Sequence, residues 1–250
     1  MRINTLGLIA SIVLTTSLLS GCATQANKDP IEGFNRGVYK FNDVADKAVI
    51  KPVAGAYKAV LPSPVRTGVG NFFRNLNTFV SAINNLLQFK IANATSEAGR
   101  FVINSTFGIA GFIDVASMDN VPKHTEDFGQ TLGYWGVGDG AYLVLPFIGP
   151  SSVRDTTGLV VDTLAFDPIS YVDDPRTRNL GRLLYIVDKR AQYLPASDLL
   201  DEAALDPYAF MRDAYLERRA NQVADNDGTV LNNGDDGSEP ATVAPAPETK

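Results

Sequence analysis

One cysteine, one histidine and one tryptophan occur in 250 residues, and the first two scarcities remove most enzyme chemistry. Cys22 has no partner for a disulfide. One histidine and one thiol do not assemble an ordinary zinc ligand set, so no metal and no bound cofactor is expected. A histidine-based triad or general base would have to use His124, in the polar loop Pro122-Lys123-His124-Thr125-Glu126, where an exposed histidine needs no catalytic explanation. No G-x-S-x-G elbow occurs. Glu126-Asp127 and Asp173-Asp174 read as solvated loop acids rather than an acid/base dyad. Gly136-Val137-Gly138-Asp139-Gly140 lacks the GK[ST] ending of a phosphate loop, and Asp225-Asn226-Asp227-Gly228 puts Val230 and Asp236 where a calcium loop needs glycine and glutamate. The chain reads as a non-enzyme. Long apolar runs are scarce too: no segment after Cys22 offers the ~20 uninterrupted apolar residues of an upright membrane span. No alternating strand pattern longer than a few residues and no internal repeat occurs.

What is present begins with the first 21 residues. Arg2 precedes an apolar run from Leu6 to Leu19, a signal peptide in length and flanks. Leu19-Ser20-Gly21-Cys22 resembles a bacterial lipobox, which makes Cys22 the acylated N-terminus, carrying N-terminal acyl and diacylglycerol groups. With ~0.8 kcal/mol per buried CH2, several chains give a permanent anchor. Ala23 rather than Asp follows, as in lipoproteins sorted to the outer membrane, and residues 22–28 form a linker. At the other end, Asn221 to Lys250 has no aromatic residue, six acids against Lys250 and the Pro/Ala run 240–247. Such a segment is expected to be disordered. Most of the net charge of −6 lies in that tail. The body is left close to neutral with no basic stripe, which argues against nucleic acid as a partner.

The body, residues 29–220, reads as mainly α, a single compact domain of amphipathic helices. Asp29-Pro30-Ile31-Glu32 predicts a capped helix start, with Phe34, Val38, Phe41, Ala45 and Ala48 on one face. Lys51-Pro52 ends or kinks it before a short helix to Val60. Ser63-Pro64 predicts a second cap, followed by Val65, Val69, Phe72, Phe73, Leu76, Phe79, Val80, Ile83, Leu86 and Leu87, with asparagines as the main polar residues. That helix suits either a protein core or a membrane interface. A helix over 94–107 carries Ala98, Phe101, Val102 and Ser105 on one face. Ser151 or Ser152 caps a helix to Ala165, stopped by Asp167-Pro168. Arg176 to Leu194 is helical, Asp198 caps a short helix and Asp206-Pro207 the last one. Arg212, Arg218 and Arg219 complement the dipole at its end or else face a partner.

Phe128 to Asp155 is the stretch around which the rest is arranged. Six glycines (129, 133, 136, 138, 140, 149) break any helical period while the residues between them stay apolar, so it reads as neither helix nor ordinary strand. It is either a connection packed under helices or irregular backbone lining a watery cavity at membrane depth. Glycines that expose backbone amides, hydroxyls at Thr131, Tyr134 and Tyr142, and apolar flanks suit a passage polar enough for a lipid head and open to its tails. The candidate lining is Gly129, Thr131, Gly133, Tyr134, Trp135, Gly136, Val137, Gly138, Gly140, Tyr142 and Pro146, with Gly111 to Asp114 alongside.

The run DFGQTLGYWGVGDGAYLVLPFIGPSSVRD (Asp127 to Asp155) resembles the signature of the MlaA/VacJ family of Gram-negative outer-membrane lipoproteins. DPIEGFNR (Asp29 to Arg36), GIAGFIDVAS (Gly108 to Ser117) and DPYAFMRDAYLERR (Asp206 to Arg219) match at the family's spacing. The resemblance implies phospholipid as transported ligand, passed from the outer leaflet of the outer membrane towards the periplasm. It implies a trimeric outer-membrane porin and a soluble periplasmic lipid-carrier protein as partners, and helices lying in the membrane plane. Two alternatives remain: a scaffolding lipoprotein that tethers partners, and a phospholipase using His124.

Overall fold

Asp29 is engaged by tertiary contacts rather than by a helix end. The computed structural model describes residues 28–203 and 205–224. In it the first helix, α1 (Glu32–Ala45), starts three residues after Asp29 with Ile31 in the cap position and no side chain closing it. The Asp29 carboxylate accepts from Asn35 Nδ2 at 2.8 Å and from the Tyr208 hydroxyl. A wide turn, Asp46–Ile50, carries α1 into α2 (Lys51–Val60) without a break. Pro52, which lacks an N–H, falls in the first turn of α2, directly after the wide turn. The long helix α3 (Ser63–Leu87) is likewise not capped by Ser63, which lies inside its first turn and accepts from Arg66.

Residues 88–90 turn α3 back into α4 (Ile91–Phe107), and α5 (Val115–Met118) follows with Asp114 as its cap. The glycine-rich stretch then resolves into regular pieces. Phe128–Tyr134 forms α6, capped by Asp127; Tyr142–Leu145 (β1) and Gly149–Ser152 (β2) form an antiparallel hairpin with Tyr142 opposite Ser152 and Leu145 opposite Gly149. The expectation of neither helix nor strand there is corrected. The reason is tertiary: α1 supplies the edge that β1 lacks, since Asn35 donates to Tyr142 O at 2.9 Å and accepts from Val144 N at 3.0 Å. Two turns on, Asn42 donates to Leu145 O at 2.9 Å and accepts from Phe147 N at 2.8 Å.

Ser152 caps α7 (Val153–Val161) by accepting from Asp155 N, and a wide turn and a 3-10 turn lead to α8 (Pro175–Ala203). α8 runs through the point where a fresh start at Asp198 is expected. The last helix, α9 (Pro207–Val223), is capped by Asp206 as its sequence predicts. It passes the expected tail boundary at Asn221 by a turn, and Val223 reaches Gly133. The calcium-like Asp225 to Asp236 lies outside the described residues. α3 packs along α4, α8 against α2 and α3, and α6 against α7 and α9.

The interior is polar and the surface apolar. Among the described residues, ten hydrophobic side chains are buried against twenty polar or charged ones, the reverse of a water-soluble domain. On α3 the buried face carries Asn75, Thr78, Ser81, Asn84 and Asn85, while Val65, Phe79 and Leu86 point outward. On α4 the expected apolar face is corrected: Glu97, Arg100 and Asn104 are inside, and Ala98 and Val102 are exposed. Phe34 is 63% exposed and Phe89 79%. The buried groups satisfy one another. Thr131 donates to Asn84 Oδ1 at 2.9 Å, Gln88 donates to Thr131 at 3.1 Å and to Glu126 at 3.0 Å, and Asn84 donates to Asp162 at 3.0 Å. Glu126 also pairs with Lys90 at 2.9 Å, so Glu126 is not the solvated acid expected.

One buried acid makes stability depend on pH. Burial pushes Glu97 from 4.5 up to about 7, outweighing the His124 N–H bond and the nearby Arg100. A carboxyl whose folded pKa is raised holds its proton better folded than unfolded, so its contribution is complete below the unfolded value and is lost as pH rises through about 7. Thermal melts of Glu97→Gln in detergent should therefore match the parent near pH 5 and exceed it at pH 8. A parent-to-variant gap that does not change with pH would show that Glu97 is ionised throughout.

Candidate functional site

The glycine-rich segment begins and ends on acids that one arginine holds together. Arg219 on α9 donates to Asp127 at 2.7 and 2.9 Å and to Asp155 at 3.0 and 2.8 Å. Asp155 also accepts from the Tyr215 hydroxyl at 2.5 Å and from Arg154 at 3.1 Å. Burial alone would raise the Asp155 carboxyl, yet the Arg219 bonds hold it down at about 2, and the same partner lowers Asp127. The two acids in turn hold the Arg219 guanidinium far above its ordinary range against the opposing effect of burial. Arg219 is thus an internal clasp, neither a dipole complement nor a partner contact. Asp127 caps α6 while it binds Arg219 and is likewise no solvated loop acid. The sequence held one signal for this: an acid at either end of the segment, Asp127 and Asp155.

Between the clasped ends the candidate residues divide. Gly129, Thr131 and Tyr142 are inside. A Cβ at Gly129 would stand 2.6 Å from Asp155 Oδ1, Thr131 belongs to the polar interior, and Tyr142 packs with Tyr208 and Tyr215. Among the described residues the buried Tyr142 hydroxyl has no hydrogen-bond partner. The Thr131 and Tyr142 hydroxyls therefore face protein rather than a passage, which corrects their placement in a lining: α3 and α9 have taken those faces. Gly133 is half-buried against Val223 and Arg154.

Tyr134 to Gly140 comes to the surface, as does Pro146 at the hairpin turn. This loop is tied at two points. Trp135 donates through its indole N–H to Leu87 O at 3.2 Å, and Asp139 pairs with Arg154 at 2.5 Å. Gly136, at φ +90°, adopts a backbone that other residues resist, and a Cβ at Gly136 or Gly138 would meet nothing within 4 Å. Tyr134, Trp135 and Val137 are each about half exposed. Leu87, which the indole N–H reaches, ends α3, whose final turn also carries the exposed Leu86; exposed Phe89 follows in the turn and exposed Ile91 opens α4. Lys90 holds its ammonium 5.5 Å from the Tyr134 ring.

Gly111 to Asp114 is not brought alongside. Phe112 packs on Phe72 and accepts from Asn71, near the start of α3, whereas the glycine-rich loop meets Asn84, Leu87 and Gln88, roughly 20 Å further along the helix axis. His124 is half-buried, not exposed; burial, Lys90 and Arg100 lower its pKa. Among the described residues its ring makes no hydrogen bond to a serine or an acid. Cys22 lies outside the described residues, and no helix among them is long and apolar enough to cross a membrane.

A model described as MlaA lipoprotein matches residues 27–222. The chain is 40% identical over 222 residues to the intermembrane phospholipid transport system lipoprotein MlaA of Escherichia coli (strain K12), covering 84% of this chain and 86% of that one. To the protein of that name in Haemophilus influenzae it is 35% identical, covering 89% and 92%. A solved structure described as "Structural basis for maintenance of bacterial outer membrane lipid asymmetry" superimposes with a TM-score of 0.69 at 35% identity, over 78% of this chain and 98% of that one. The four blocks that begin at Asp29, Gly108, Asp127 and Asp206 thus occur in a mainly helical fold shared with these relatives, and the chain belongs to the MlaA lipoprotein family.

Proposed function

We propose that this chain is a non-enzymatic lipid conduit of the outer membrane, taking mislocalised phospholipid from the outer leaflet and passing it towards the periplasm. The observation that carries this is the inverted distribution of polarity. A body that buries Asn84, Gln88, Glu97 and Arg100 and exposes Phe34, Val102 and Phe107 is suited to hydrocarbon outside and a polar path inside. A scaffold tethered in water would leave no such belt exposed, so the same observation disfavours the tethering alternative. The names of the relatives, intermembrane phospholipid transport system lipoproteins, agree in ligand.

Acylation of Cys22 would hold the body at the inner face of the outer membrane. With no helix among the described residues long and apolar enough to cross, the helices would lie in the plane, and a rigid transmembrane neighbour, a trimeric porin, would hold them at depth. A soluble periplasmic carrier would accept the lipid, because free phospholipid does not cross water. The surface loop Tyr134 to Gly140 is the part of the segment placed to meet lipid. Gly138→Leu puts bulk there without touching packing, since the site is open. Cells carrying it should make the normal amount of protein and accumulate phospholipid in the outer leaflet, approaching cells without the gene. A normal lipid distribution at normal protein level would remove this loop from the passage.

A further inference from the structure

α1 meets three surroundings at once. Asn35 and Asn42 turn inward to the hairpin. At the helical period the rest of its circumference divides into two arcs that do not mix. One carries Glu32, Arg36, Lys40 and Asp43, and the other carries Gly33, Phe34, Gly37, Phe41 and Val44 with no charge among them. Phe34 and Val44 are more than half exposed, and a Cβ at Gly33 or Gly37 would meet nothing within 4 Å. The hairpin tip continues the apolar arc: the Phe41 ring meets that of Phe147 edge to face at 5.2 Å, and Phe147 and Ile148 are exposed.

The charged arc suits water. Glu32 pairs with Arg36 at 2.7 Å and Asp43 with Lys47 at 2.8 Å, each one helical turn apart, and Arg36 reaches Asp206 at 2.8 Å. All of these side chains are a third or more exposed, so hydrocarbon on that side would cost them their hydration. α1 therefore runs along a boundary between an apolar phase and water, as an interfacial helix does.

Where the chain enters the body decides which apolar phase this is. Lys28 O accepts from Tyr142 N at 2.8 Å and the Asp29 carboxylate is buried, so the backbone is fixed to the hairpin before α1 starts. Cys22 stands six residues earlier. Six residues at full extension span about 20 Å. Acyl chains on Cys22 enter the bilayer within that distance of the hairpin, and the leaflet that holds them is the apolar phase in reach.

We propose that the apolar arc of α1 and the hairpin tip seat the body in the phospholipid leaflet that holds its own Cys22 anchor, the inner leaflet of the outer membrane, with the charged arc of α1 turned to the periplasm. This rests on acylation of Cys22 and on the conduit reading, and it adds which helix seats the body and which way that helix faces.

The test is a depth measurement on the full-length acylated protein reconstituted into vesicles of phosphatidylethanolamine and phosphatidylglycerol. Acylation takes up the parent's one cysteine, so Phe34→Cys, Val44→Cys, Ile148→Cys and Lys40→Cys each offer a single thiol to an environment-sensitive fluorophore. All four positions are exposed, and the labelled proteins should melt with the parent. The first three labels should emit blue-shifted light and be shielded from aqueous iodide. Lipids with a nitroxide near the headgroup should quench them more than lipids with it at the chain end, since an interfacial helix sinks only about 5–10 Å. The label at Lys40 should be open to iodide and little affected by either lipid. Iodide reaching all four labels equally would overturn the seating. The conduit reading would then stand if brominated phospholipids still quench Trp135 in the same vesicles, and fall with the seating if they do not. Shielding from iodide without nitroxide quenching, in protein that crosslinks as a dimer, would identify a second copy as the cover and overturn the assignment. A Lys40 label quenched by lipid like the others would sink the whole of α1 and overturn the boundary.

Discussion

Replacing Arg219 by alanine is expected to destabilise the protein by about 3 kcal/mol, towards the lower end of the cost of breaking a buried ion pair. Arg219 is 9% exposed and makes four hydrogen bonds to two acids that bound the glycine-rich segment. Its removal leaves Asp155 buried, with Arg154 and Tyr215 as remaining partners, which is why the loss stops short of the upper end. Arg219→Lys keeps the charge but cannot reach both carboxylates with a fork, so a partial loss should follow. The loss has a pH signature. Asp155 has a depressed folded pKa of about 2 against an ordinary 3.8, so its stabilisation is present above the ordinary value and disappears as pH falls through the folded one. Denaturation measured in detergent should show the gap between parent and Arg219→Ala closing from pH 4 towards pH 2. A gap of under about 1 kcal/mol at pH 7 would put the pair in the class of surface bridges and dissolve the clasp.

Gly158→Ala is expected to cost as much or more, through backbone rather than charge. A Cβ at Gly158 would stand 2.3 Å from Gly129 N and 2.6 Å from Gly129 Cα, where α7 crosses α6. Neither atom belongs to a side chain that can swing away, so the two helices must part. Overpacking costs of about 1–3 kcal/mol apply where side chains can adjust, and here the shift also pulls Asp127 and Asp155 away from Arg219. Alanine's better helix propensity returns only about 1 kcal/mol. Gly138→Ala, in open space, serves as the paired control and should be near neutral. A Gly158→Ala protein that melts with its parent would mean that α6 and α7 do not touch at this point.

The helices were legible because their period and their punctuation are local. Asp206-Pro207, Ser152 and Asp167-Pro168 act where the sequence puts them. Which face of each helix turns inward was not legible, because period fixes that a face exists and the surroundings decide its direction. On α4 the stripe of Ala98, Phe101 and Val102 looks like a core face, yet Glu97, Arg100 and Asn104 are the buried residues, bonded to His124, Val121, Asp114 and Ala116. On α3 Asn75, Asn84 and Asn85 are interior while Asn77 is exposed. The same limit hid the site's structure. Nothing near Tyr142 announces that Asn35 and Asn42, over a hundred residues earlier, complete its hairpin. Nothing near Asp127 or Asp155 names Arg219.

The central claim is that apolar side chains on this body face hydrocarbon, and Trp135 reports on it without any labelling, being the one tryptophan in the chain. It is 49% exposed, beside Phe128, with its indole N–H reaching the end of α3. The measurement is Trp135 fluorescence in the full-length acylated protein reconstituted into bilayers, quenched in turn by phospholipids brominated along their acyl chains and by aqueous acrylamide. A lipid-facing body gives strong quenching by the bromolipids and little by acrylamide. Strong acrylamide quenching with no response to bromolipid would place this face in water and contradict the claim.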